Sequence, residues 1–153
     1  MSDLSALTTW LGPLLAGLSA PRQRAAMVEV STYLRRSQAE RIGAQLNPDG
    51  TAYEPRKPRL RKKKGAIRRK MFEKLRTAKY LRKAATATTA TITIGGRTAR
   101  IARVHQYGLR DKVDWRRPAS PEVRYPRREL LGFTAADEAA ITDIVLRHIT
   151  IGG

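Results

Sequence analysis

From Arg56 to Lys83 the chain carries fifteen lysines and arginines against a single acid, Glu73. Like charges at that density repel one another and are relieved by a partner of opposite sign, so the cationic side chains cannot line a core. They must lie at the surface, and only the few apolar residues among them can reach a core. A charged surface helix ordinarily mixes its signs; this run does not, and it reads as an interface. The residues offered to a protein or DNA partner are Arg56, Lys57, Arg59, Arg61, Lys62, Lys63 and Lys64, then Arg68, Arg69, Lys70, Lys74, Arg76 and Lys79. Few aromatic residues interleave them, which argues against base stacking. Phosphate-backbone contact or an acidic protein surface fits better.

The rest of the composition is consistent with one domain over 1–153 that bears an extended basic segment at about 54–84. The formal net charge is +18, from 31 Lys and Arg against 13 Asp and Glu. Such an excess favours an anionic partner: nucleic acid, acidic protein or anionic lipid. No apolar run approaches the roughly 20 residues of a membrane span, so no membrane partner is expected. The N-terminus has no basic region ahead of an apolar stretch, so no signal peptide is expected. Cysteine is absent, which excludes disulfides, thiolate catalysis and cysteine–zinc sites and suits a reducing cytoplasm.

Hydrophobic spacing predicts an α+β fold: an antiparallel sheet built on a β-hairpin, with N-terminal helices and a C-terminal helix packed on it. Leu4, Leu7, Leu11, Leu14 and Leu18 form a helical stripe from a cap at Ser2 or Asp3, interrupted at Gly12-Pro13. Ser19, followed by Ala20-Pro21, opens a second helix to about Leu46, with Met27, Val30, Leu34, Ile42 and Leu46 on one face. Asn47-Pro48-Asp49-Gly50 ends it as a turn. Ile67, Met71, Leu75 and Phe72 suggest a short amphipathic helix. Thr86–Ile94 alternates like a strand, Gly95-Gly96 suits a tight turn, and Arg97–Val104 reads as the returning strand. Leu109–Pro121 reads as a loop and Glu122–Tyr125 as a short third strand. Thr134 caps the last helix with Asp137 at the capping-box position, and Leu131, Ile141, Ile144, Val145, His148 and Ile149 are expected in or beside the core.

Catalysis finds little support. His148 reads as a packing or capping residue in a last helical turn, and His105 as a hydrogen-bonded turn residue. Asp111 and Asp114 lie among arginines and read as ion-pair partners. No phosphate-binding loop, metal-ligand set or cofactor motif occurs.

Four short motifs, in order and spanning nearly the whole chain, resemble the phage virion morphogenesis family, the tail completion proteins of peduovirus-like contractile-tailed phages. The first is Asn47, Pro48, Asp49 and Gly50 followed by Tyr53, Pro55 and Arg56. The second is the basic run leading into Met71-Phe72 and Leu75. The third runs from Ala102 through His105, Gln106 and Tyr107 to Gly108. The fourth is Tyr125-Pro126, Arg128, Leu130, Leu131, Gly132, Phe133 and Asp137. The resemblance implies a non-enzymatic virion protein, assembled in the host cytoplasm, that completes the tail at its head-proximal end and enables head–tail joining. It implies a homo-oligomeric ring, six copies matching tail symmetry, next to the tail terminator, tube or sheath and head connector. DNA in the channel is a further possible contact. A basic nucleic-acid-binding protein is the alternative.

Overall fold

The computed structural model describes residues 11–56, 70–114 and 116–152. The helix expected from Ser2 or Asp3, Ile67, Trp115 and most of the basic run lie outside these residues. The chain forms two compact units, neither continuous in sequence: 1–37 with 81–93 and 133–153, and 38–80 with 94–132.

The first unit is helical with a hairpin. Residues 11–16 are helical. Helix α1, Ala20–Gly43, follows, with Pro21 in its first turn, where the missing N–H would have had no intrahelical partner. The Gln23 side-chain amide donates to Leu15 O at 3.0 Å and Leu18 O at 3.1 Å, satisfying carbonyls at the end of the preceding turn. Strands β1, Leu81–Ala85, and β2, Ala90–Ile94, form a two-stranded sheet. Thr86 turns the chain between them: its Oγ1 accepts the N–H groups of Thr88 at 3.3 Å and Thr89 at 3.0 Å. Helix α3, Ala135–Gly152, closes the unit. Thr134 Oγ1 accepts the Asp137 N–H and Asp137 Oδ2 accepts the Thr134 N–H, each at 3.0 Å, the reciprocal capping expected. Asp137 is 1% exposed and also accepts hydrogen bonds from Tyr33 and Ser37 of α1. Met27, Val30 and Leu34 of α1 pack with Ile141, Ile144 and Val145 of α3, and Ala85, Ala90, Ile92 and Phe133 lie against them.

The second unit begins with the last turns of α1. The Asn47–Gly50 turn closes with Gly50 N–H to Asn47 O at 2.9 Å, and Asp49 Oδ1 accepts the Thr51 N–H at 2.9 Å. Helix α2 spans Ala99–Tyr107, after a 3₁₀ turn at Gly96–Thr98. Strands β3, Arg110–Lys112, and β4, Glu122–Arg124, pair antiparallel in the register Arg110↔Arg124. Ile42, Tyr53, Met71, Leu75, Ala102 and Leu130 form this unit's core.

The α+β class holds, as do the long helices, the hairpin and the strand at Glu122. Five local expectations are corrected. The hairpin turns at Thr86–Thr89 and not at Gly95-Gly96, because the threonine hydroxyl supplies the turn's hydrogen bonds. Arg97–Val104 is not a strand: most of it lies in α2. Gly108, at φ 63, ends that helix, its N–H reaching Val104 O. Met71–Leu75 forms turns and no helix, since Phe72 holds φ 66, a left-handed value that a right-handed helix excludes. The expected loop from Leu109 contains β3. Leu131 is only half-buried; its neighbour Leu130, at 0% exposure, is the core residue.

Ile144→Asp should unfold the protein, since an unpaired buried charge costs on the order of several kcal/mol. Thr134→Ala should cost only about 1 kcal/mol, the usual value of a lost cap. Thermal melts separate the two effects; an aspartate variant as stable as the parent would overturn the core assignment.

Candidate functional site

The motif residues of the second unit converge on one irregular segment, Arg128–Gly132, which bends at Leu130 and Leu131. Among the described residues no strand pairs with it, and side chains take the place of a neighbour. Asn47 Oδ1 accepts the Glu129 N–H at 2.9 Å. Gln106 Oε1 accepts the N–H groups of both Leu130 and Leu131 at 2.9 Å, while its Nε2 donates to Leu131 O at 2.8 Å. Gln38 does the same at Gly132, accepting the N–H at 3.1 Å and donating to the carbonyl at 2.8 Å. Arg41, 8% exposed, donates to Glu129 O at 2.9 Å and Leu130 O at 2.8 Å. The Tyr53 hydroxyl also donates to Glu129 O, at 2.9 Å. The Arg128 N–H reaches His105 O at 2.8 Å. Buried amides left unpaired would each cost about 1–3 kcal/mol, so these side chains replace a missing strand.

Two glycines of the motifs have steric reasons. At Gly132 a β-carbon would meet the Pro48 ring. At Gly108 one would come within 3.2 Å of Arg127, and the φ of 63 already disfavours a side chain.

The same scaffold ties down the basic run where it leaves and returns. At the leaving end Arg128, 3% exposed, donates from Nε to Glu54 O at 2.6 Å and from a terminal nitrogen to Pro55 O at 3.1 Å. At the returning end Gln45 accepts the Met71 N–H and donates to Met71 O, both at 2.9 Å. Gln45 sits at φ 62 just after α1, so its backbone is itself in the left-handed region. The Tyr53 and Phe72 rings meet edge to face at 5.8 Å, Phe72 meets His105 at 4.9 Å and His105 meets Tyr125 at 5.2 Å. The described residues on either side of 57–69 therefore lie beside one aromatic cluster.

Of the predicted interface residues, Arg56, Lys70, Lys74 and Lys79 are exposed, and Lys79 stacks on Tyr80 at 5.2 Å. Arg76 is turned to structural use: it pairs with Glu73 at 3.3 Å and approaches Ala39 O at 3.4 Å, its guanidinium lying where a side chain at Gly43 would stand. Lys57, Arg59, Arg61–Lys64, Arg68 and Arg69 lie outside the described residues. The sequence reading does not point to Gln38, Arg41 or Gln45, whereas Tyr53 stands in the first motif. Gln38 and Arg41 gave a signal, being polar residues at positions that continue the apolar stripe of α1.

His105 is held neutral. Its pKa is lowered from 6.5 to about 4 by burial first, then by the positive charges of Arg128 and Arg56. The Arg128 guanidinium approaches Nδ1 at 3.1 Å as a donor, which leaves the ring proton on Nε2. His148 binds Glu29 at 2.8 Å beside the Arg147–Glu29 ion pair. Asp111 and Asp114 pair with Arg100 and Arg117. Among the described residues no group of three or more His, Asp or Glu side chains could hold a metal ion, and no helix is long and apolar enough to cross a membrane.

An α+β chain with a strongly basic run anchored by a side-chain-bonded scaffold is the class of protein defined here. The chain belongs to the phage virion morphogenesis family, whose model matches residues 2–150. It is similar to tail completion protein S of Escherichia phage P2, with 38% identity over 151 residues, 97% of this chain and 99% of that protein. No solved structure matches it.

Gln106→Ala should strip partners from two N–H groups and one carbonyl at once, destabilising the fold by several times the roughly 1 kcal/mol of an ordinary hydrogen bond. Denaturant titration measures this; a loss below that ordinary value would show that the segment does not depend on the glutamine. His105 should make stability pH-dependent. Its folded pKa lies below its unfolded one, so the unfolded chain binds the extra proton first. Its contribution is complete above pH 6.5 and declines as pH falls toward about 4. Melts between pH 7 and 5 should show a slope in the parent that His105→Gln flattens.

Proposed function

We propose that this chain is a structural tail completion protein of a tailed phage. It finishes the tail at its head-proximal end and enables head–tail joining as a ring subunit, six copies matching the tail's symmetry. Its neighbours are the tail terminator, the tube or sheath and the head connector, and its place is the neck of the virion, after assembly in the host cytoplasm. The similarity to the P2 tail completion protein over nearly the full length of both chains carries the reading. The role is one of assembly and not of catalysis: His105 is neutral and enclosed by rings, and the motif residues spend their polar groups on backbone.

In this reading the basic run is the contact element. Anchoring at Glu54-Pro55 and Met71 lowers the conformational freedom to be lost on docking. The cationic side chains Arg56, Lys57, Arg59, Arg61–Lys64, Arg68, Arg69, Lys70, Lys74 and Lys79 meet an acidic ring or DNA in the channel. The net charge of +18 also favours a second reading, a nucleic-acid-binding protein. Phosphate contacts release counterions, so that function would give tight DNA binding by the isolated chain that weakens steeply between two salt levels.

Replacing Arg61, Lys62, Lys63 and Lys64 by glutamine should leave folding intact, because surface substitutions usually change stability by no more than about 0.5 kcal/mol. It should abolish complementation, scored as infectious particles from a host that supplies only the variant. Normal titres from a variant with parental circular dichroism would remove the basic run from the mechanism. Electron microscopy of particles made without the protein should show tails unjoined to heads; intact, joined particles would refute the tail-completion reading.

A further inference from the structure

The third sequence motif, Ala102–Gly108, has two members without an internal partner. Ala102 and Val104 are buried, His105 sits among rings, Gln106 bonds the Arg128–Gly132 segment and Gly108 ends α2. Arg103 is exposed, and Tyr107 is 63% exposed. Among the described residues neither enters a hydrogen bond, an ion pair or a ring contact. Standing four residues apart on α2, they share one face of it.

That face borders a groove of about 550 Å³, open to solvent and formed within the second unit. Ile94, Ala99, Ala102 and Leu131 make its wall aliphatic, and Arg103 and Tyr107 line it with them. Gln106 also reaches the groove, but its Oε1 already accepts two N–H groups. The Tyr107 hydroxyl is thus the one side-chain acceptor left among the described lining residues, whereas Arg103 brings a positive charge and a fork of N–H donors. The groove therefore offers an apolar wall and an unpaired cation at one opening.

We propose that this groove receives a segment of an acidic protein, with an apolar side chain against the aliphatic wall and a neighbouring carboxylate on Arg103. Guanidinium forks match carboxylates in a bidentate geometry, and binding pockets combine apolar walls with a few polar groups that fix orientation. Phosphate would satisfy Arg103 but cover none of the wall. A nucleic-acid base would bring the donors and acceptors of its edge to a mostly aliphatic surface and leave most of them unpaired, which is costly. A second copy is disfavoured because each chain carries +18. The proposal rests on the tail-completion reading, since the partner is then another virion protein.

The test places the photo-crosslinking residue p-benzoylphenylalanine at position 107, an aromatic ring for an aromatic ring, in the full chain supplied in trans to a phage lacking the gene. Infected cells are irradiated and the crosslinked peptides sequenced. The expected product joins position 107 to one other virion protein, at an apolar residue close in sequence to an Asp or Glu. Arg103→Glu should reduce it about tenfold or more, because a like charge replaces a charge-assisted pair. Ala99→Trp should reduce it as strongly by filling the groove, and Arg103→Lys should retain more of it than Arg103→Glu. Circular dichroism checks that each variant folds. Crosslinks to nucleic acid, to lipid, to a second copy or within the chain, no defined product, or an undiminished product in a folded variant would each overturn the proposal. Heads joined to tails in particles made without the chain would instead overturn the tail-completion reading on which it rests.

Discussion

The second unit depends on an irregular backbone segment that, among the described residues, has no strand beside it. Arg128–Gly132 must satisfy its peptide groups in a partly buried place, and a lone irregular chain cannot do so by itself. Gln38, Gln106 and Asn47 supply amide groups that carry a donor and an acceptor on one rigid plane, as a peptide does. Gln38 and Gln106 each bond both polarities of the segment, and Arg41 gathers two of its carbonyls. The network explains why residues scattered over some ninety positions in the sequence act together. It also explains why Leu130 can be buried completely while its backbone remains bonded.

The surface chemistry follows from that framework. Arg128 carries the backbone segment and, through its side chain, holds Glu54 and Pro55 at the edge of the basic run. Gln45 grips the chain where the run ends. Two left-handed residues, Gln45 and Phe72, sit at this point, where a side chain normally resists such a backbone; hydrogen bonds and ring contacts offset that cost. The described residues at the two ends of the basic run thus rest on rings, amides and the Arg128 guanidinium. Keeping His105 uncharged suits this arrangement, because one more positive charge beside Arg128 and Arg56 would add repulsion where the two ends converge.

Most of the first unit was legible in the sequence. Its helices have strong local signals: Pro21 after Ser19, the Thr134–Asp137 capping box, and apolar residues at helical spacing. Such signals act within a few residues and so survive without knowledge of the rest of the chain. The stretch Arg97–Tyr107 shows where local reading ends. Ala99 and Ile101 flank Arg100 as in a strand, yet Gly108 is placed to end a helix, and burial of Ala102 and Val104 goes with the helical outcome. A segment of nine residues satisfies either period, and packing chose between them.

The sequence by itself determined the charge, the absence of thiol chemistry, the family and the two long helices, because each is set by residue identity or by contacts between near neighbours. Only the tertiary structure decided what the motif residues do. A glutamine, an arginine and an asparagine far apart in the chain look like ordinary polar residues until the fold delivers the backbone they bond. Their partners are peptide groups, which every residue carries and no residue name reveals.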